Sequence, residues 1–167
     1  MSTYFFENSI FFPAVPVIIY PKPAYNNPGD NMRIWKDAVL FYVGGMCYML
    51  LEVLWRGWSH GSMFLVGGLC FLLIGAIDQV CPGMPLFMQG VVGAVLVTAM
   101  ELVSGLIINR VLNLGVWDYS YLPYNFMGQV CMAYFFLWIL VSWAAVVLED
   151  GLRWGLFGEK KVKYRLF

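Results

Sequence analysis

The stretch "PLFMQGVVGAVLVTAMELVSGLII", Pro85–Ile108, decides the fold class. It is long enough to cross the hydrocarbon core of a bilayer, which needs about 20 apolar residues. Proline at its start suits the first turn of a helix, where the missing N–H costs nothing. Inside it stands one carboxylate, Glu101. An ionisable group in a span costs several kcal/mol, roughly 2.5–3.5 at the bilayer centre by insertion scales, and faces protein or water rather than lipid. Such a face is visible. Gly90, Ala94, Thr98, Glu101, Gly105 and Asn109 recur at helical spacing on one stripe,. Their small side chains permit close helix approach, so Glu101 is aimed at a neighbouring helix.

The rest of the chain repeats the apolar pattern. Hydrophobic residues make up 61% of the 167 residues and charged residues 12%, against about 45–50% and 25% in soluble domains. A soluble domain of this size has too little interior for that much apolar surface. Three further runs read as spans: Asp37–Trp55, Ser62–Ile77 and Phe126–Leu148. The expected fold is all-α, a polytopic membrane protein with four main transmembrane helices. Its organisation is an N-terminal interfacial segment and loop over 1–36, then a transmembrane domain over 37–167 with a basic tail. The first twenty residues lack a cationic n-region, and Glu7, Pro13 and Pro16 interrupt them. They therefore fit neither a signal peptide nor a clean spanning helix.

Lysine and arginine set the orientation. Lys22, Arg33, Lys36, Arg153, Lys160, Lys161, Lys163 and Arg165 fall on one side of a four-span chain, and only Arg56 and Arg110 on the other. Both termini are thus expected in the cytoplasm. The connections 56–61 and 109–125 then face outward. On this arrangement Glu52, Arg56, His60, Glu101, Asn109, Asp118, Tyr119, Asn125 and Gln129 all lie at or just below the outer interface, and these are the candidate site residues. Arg56 could pair with Glu101, or with Glu52 one turn back on its own helix. The passage "GVWDYSYLPYNFMGQVC", Gly115–Cys131, is expected to form a structured cap over Glu101. In it Asn125 would cap the fourth helix by accepting from the N–H of Gly128, and Gln129 would reach Glu101. The plain alternative is an aromatic belt of Trp117, Tyr119, Tyr121 and Tyr124 floating in the interface.

Several classes are set aside. A net charge of zero with no basic face gives no sign of nucleic acid as a partner,. The four cysteines have no metal-ligand spacing, and His60 is the only histidine, so no metal site and no cofactor are expected,. The chain carries neither a P-loop nor a dinucleotide fingerprint, nor a GxSxG or HExxH motif. Gly61, Gly68 and Gly75 share a face on the second span, which suits tight packing or a homo-oligomer among membrane lipids.

At this point the residues resemble a known family. "GWSHGSMFLVGGLCFLLIG", "ELVSGLIINRVLNLGVWDYSYLPYNFMGQVC" and "LEDGLRWGLFGEKKVKYRLF" look like the ABC-transporter type IV (CmpB-like) bacterial membrane proteins. The resemblance runs from about Trp55 to Phe167 and leaves out the N-terminal third. Its most specific part is Trp117, Asp118, Tyr119, Ser120, Pro123, Asn125, Gly128, Gln129 and Cys131, with Glu101, Gly105 and Asn109 upstream. It implies a permease-like transport component of the bacterial cytoplasmic (inner) membrane, served by a separate nucleotide-binding subunit. Two other readings of the residues stay open. One is a membrane-embedded enzyme acting on a lipid-linked substrate, with Glu101, Asp118, Glu52 and His60 as acid–base groups. The other is a structural or assembly protein in which the polar level only holds helices together.

The orientation is directly testable. A Val162→Cys variant in a background lacking the other cysteines should react with an impermeant maleimide only after the cells are permeabilised. Labelling from outside intact cells would reverse the topology.

Overall fold

The computed structural model describes residues 30–166. Four long helices account for most of them: α1 (Asp30–Arg56), α2 (Gly61–Val80), α3 (Leu86–Gly105) and α4 (Met132–Phe157). Each is long and apolar enough to cross a membrane. The shortest, α2 and α3, have 20 residues each, which at about 1.5 Å per residue spans roughly 30 Å. The expected segment over 1–29 lies outside the described residues. α1 begins at Asp30, ahead of Asp37, where the sequence reading placed the start of its span.

The chain turns are marked by the residues that permit them. Gly57, with φ +81°, ends α1. His60 caps α2 by accepting from the Ser62 amide at 3.2 Å. Gly83, also at φ +81°, sits in the short connection before α3. α3 does not stop at Gly105 but widens into a π-helical turn, Leu106–Val111. A two-strand ribbon follows, β1 (Asn125–Phe126) pairing antiparallel with β2 (Val130–Cys131). α4 starts only after it. The fourth helix therefore opens at Met132, not at Phe126 as the sequence suggested.

α1 packs mainly on α2, and α3 mainly on α4, with α2 bridging to both members of the second pair. The helices approach through small residues. The Phe71 side chain of α2 occupies the space beside Gly44 of α1, and the Tyr48 side chain of α1 occupies the space beside Gly67 of α2. Phe64 lies on Gly45 and Phe41 on Gly68 in the same reciprocal way. Numbers rising on α1 meet numbers falling on α2, so the pair is antiparallel. The small-residue stripe of α3 behaves alike: Trp143 fills the space at Gly90, Ser142 that at Gly93, and Gln129 with Trp117 that at Gly105. The core between these layers holds Cys70, Ile74, Ala94, Val97, Trp138 and Val146.

Glycine spacing on α2 resolves differently from a simple oligomer face. Gly68 packs on α1 and Gly75 makes room for Glu149 of α4, while nothing lies near Gly61. Two of the three glycines are thus used within the protomer.

At the end of the bundle away from the ribbon, the tail folds back. Gly158, in the left-handed region at φ +66°, terminates α4 with its amide on Arg153,. The carbonyls of Arg165 and Leu166 then accept from the amides of Leu86 and Phe87, at 2.8 and 3.4 Å. These donors have no partner inside α3. Lys36 of α1 pairs with Glu159 of the tail at 2.7 Å, and Arg153 pairs with the buried Glu149 at 2.5 Å.

Packing makes a contrasting pair of substitutions informative. Gly67→Val should cost about 1–3 kcal/mol, because an added side chain meets Tyr48 in a filled core,. Gly61→Ala, in open space at the start of α2, should be neutral or slightly stabilising through helix propensity. Thermal unfolding in detergent reads both.

Candidate functional site

The carboxylate of Glu101 is the centre of the polar end. It is 4% exposed. One oxygen accepts from the Tyr119 hydroxyl at 2.9 Å, and the other from the Trp138 indole N–H at 3.0 Å. Each oxygen thus has one hydrogen-bond partner. Among the described residues no Lys, Arg or His forms an ion pair with it.

Aromatic rings enclose this carboxylate. Tyr119 stacks on Tyr134 of α4 with ring centres 4.6 Å apart, and Tyr48 of α1 stacks on Trp138 at 5.9 Å. Trp55 donates its indole N–H to the Tyr134 hydroxyl at 3.2 Å, tying α1 to α4 above the stack. Burial, and then the charge of Glu101, push the Tyr119 phenol well above its ordinary range, so it stays a donor,.

Tyr119 arrives from the connection 112–131, which is folded rather than loose. The π-helical turn presents Asn109 to it. Asn109 donates to Gln129 Oε1 at 2.8 Å and to the Trp117 carbonyl at 3.0 Å, and accepts from the Val116 amide at 2.7 Å. The Trp117 indole N–H reaches the Gln129 carbonyl at 3.0 Å. Gly128 takes φ +68°, and a side chain there would collide with Ser120 and Asp118,. Tyr124 and Met127 also adopt positive φ, near +55°, a conformation that costs non-glycine residues energy and persists where surrounding contacts enforce it.

The predicted site residues divide accordingly. Glu101 and Tyr119 meet directly, and Asn109 and Gln129 hold the connection that carries Tyr119. Gln129 does not bond Glu101, contrary to the sequence reading. It lies on the ribbon ahead of α4 and is taken up by Asn109. Asn125 does accept from the Gly128 amide at 3.1 Å, but inside the ribbon turn, so it does not cap α4, whose N-cap is Cys131. Asp118 is exposed and accepts from the Ser120 amide and hydroxyl at 2.9 and 2.6 Å. Those bonds hold its carboxyl below the usual range, and its role is turn geometry. Arg56 pairs with Glu52 at 2.6 Å rather than with Glu101, and uses its other terminal nitrogen on the Val116 carbonyl at 2.8 Å. Ser59 completes the Glu52 carboxylate at 2.5 Å. His60 caps α2 and is not brought to Glu101.

Sequence reasoning missed Trp138 as a partner of Glu101, and Tyr48 and Tyr134 as the rings that stack on its two donors. A signal existed: Tyr134 and Trp138 stand four apart in α4, and Tyr48 and Glu52 four apart in α1, each pair on one helix face,.

A family model described as "Putative ABC-transporter type IV" matches residues 39–152. The match includes α1 from residue 39, which the sequence resemblance had left out, and ends before the basic tail, which it had included. No curated protein and no solved structure matches the chain.

The network around Asn109 yields a stability test. Asn109→Leu deletes three hydrogen bonds and leaves the Gln129 side-chain oxygen without its donor, so it should cost about 1–3 kcal/mol,. The measurable sign is faster proteolysis of the 112–131 connection, with helix content unchanged.

Proposed function

The chain belongs to the ABC-transporter type IV family, and from that premise we propose that this multi-pass membrane protein is a permease-like transport component whose working site is the Glu101 level. The observation that carries the reading is a deeply buried carboxylate held by two neutral donors and no cation. A structural acid in a membrane protein is normally satisfied by a cationic partner or a full set of donors. Glu101 instead lies without a cationic partner beneath a folded cap. In a transport component an acid so placed recruits solute.

The Lys/Arg distribution supports an outward-facing cap and cytoplasmic termini in a bacterial cytoplasmic membrane,. The chain has no nucleotide-binding signature, so coupling to ATP would come through a separate subunit. Four helices alone enclose little polar volume, which favours assembly of several copies around the path.

Proteoliposomes on a solid-supported membrane test the reading. Rapid exchange among organic cations, amino acids and inorganic anions should give a protein-dependent current with at least one class. Glu101→Gln should reduce it at least tenfold while the protein still reconstitutes. Silence across all three classes, or an unchanged current in Glu101→Gln, would remove the transport reading.

A further inference from the structure

α1 and α4 scarcely touch each other, and a groove of about 130 Å³ runs between them over the α2–α3 core. At one end it is lined by Gly44 and Leu148 near the middle of the bundle, and at the other by Leu51, Tyr48 and Trp138. The lining is almost wholly apolar. The stacked Tyr48–Trp138 pair forms its wall at the cap end, and the indole N–H of Trp138 is bonded to Glu101. The groove thus has a greasy length, an aromatic head and, one hydrogen bond behind that head, an acid without a cationic partner.

We propose that this groove binds an amphiphilic organic cation, its apolar chain lying between α1 and α4 and its ammonium head against the Tyr48 and Trp138 rings. The inference rests on reading the Glu101 level as the working site and names the class of compound that the site takes. Each part of the ligand has a counterpart. An alkyl chain lies along a wall of aliphatic and small side chains, Leu51, Val141, Ala144 and Leu148. A quaternary or alkylated ammonium is attracted to the negative faces of aromatic rings within about 6 Å. The Glu101 carboxylate strengthens that attraction, because charges interact strongly where water is excluded. Glu52 adds no free charge, being paired with Arg56. Glu101 is the buried acid beside the groove, it has no cationic partner among the described residues, and a monocation would balance its carboxylate. A neutral amphiphile would leave Glu101 as it is, and an anionic one would be repelled. The polar level lies toward the end of the bundle and the greasy level nearer its middle, the order an amphiphile has in a bilayer leaflet.

The test is binding to the purified full chain in nanodiscs, by calorimetry, with octyltrimethylammonium as probe. Chain-matched 1-octanol and octyl sulfate are the neutral and anionic counterparts. The ammonium compound should bind saturably and at least tenfold tighter than either counterpart. Glu101→Gln should abolish that preference, and Tyr48→Leu, which leaves the carboxylate in place, should weaken ammonium binding about tenfold. Equal binding of all three compounds would show a groove that accepts any chain and would overturn the proposal. So would a charge preference that survives in Glu101→Gln, or, if that variant fails to fold, one undiminished in Tyr48→Leu. Binding without current in the proteoliposomes upholds this site and removes the transport reading. Current without ammonium binding does the reverse.

Discussion

A single carboxylate buried in an apolar helix constrains much of this structure. Glu101 sits in α3 with lipid-compatible residues on either side, and its charge has to be met by groups that the same helix cannot supply,. The donors come from two directions: Trp138 from α4, and Tyr119 from the connection between α3 and α4. The first bond fixes how α4 is rotated and how far it is slid along α3. The second requires that the connection be folded, since a mobile chain would not hold a phenol at hydrogen-bond distance beneath the surface. The π-helical turn, the Asn109 hub and the ribbon are the parts that hold it there.

Close approach of the helices is the second condition, and it comes from glycine. The interlock of Gly44 with Phe71 and of Gly67 with Tyr48 sets the α1–α2 distance, and Gly90 and Gly93 do the same for α3–α4. In lipid there is little hydrophobic force pulling helices together, so packing of this kind carries much of the association. It also orients Tyr48. With its Cβ seated on Gly67, the ring extends to stack on Trp138 across the gap between the two helix pairs. The packing of one pair thus completes the aromatic surround of a carboxylate in the other.

How much of this was legible in the sequence follows from the range of each interaction. The spans were, because twenty apolar residues in a row have few other uses. The burial of Glu101 was too, because the small stripe from Gly90 to Gly105 gave it an address within its own helix. The partner was not. Gln129 looked close enough only on the assumption that α4 began at Phe126. A two-residue ribbon carries almost no periodic signal, and it moved the helix start to Met132 and Gln129 onto Asn109. Asn125 was read correctly in its bond to Gly128 and wrongly in its element, since an Asx-type turn and a helix cap present the same local pattern,. Trp138 belongs to no interfacial belt, being buried between the helices and bonded to Glu101. The Lys36–Glu159 pair joins residues far apart in the chain and could not be inferred from spacing.

The two ends of the bundle treat buried charge in opposite ways, and that contrast directs the functional reading. Glu149 is even less exposed than Glu101, at 2%. Yet it has Arg153 one turn away on its own helix, and Arg153 also approaches Glu159, which in turn holds Lys36. Charges there are matched within the chain, and the result is a clamp joining α1, α4 and the tail. At the cap end the Arg56 guanidinium is committed to Glu52 and to the Val116 carbonyl, and that of Arg110 donates to the Met127 carbonyl. Glu101 receives hydrogen bonds from neutral groups alone. Buried acids with cations at hand are explained by architecture. One held by an aromatic hydroxyl and an indole N–H, next to an apolar groove and without a cation, is stabilised fully only when something positive arrives,. For that reason the proposed working site is at Glu101 rather than at the better-buried Glu149.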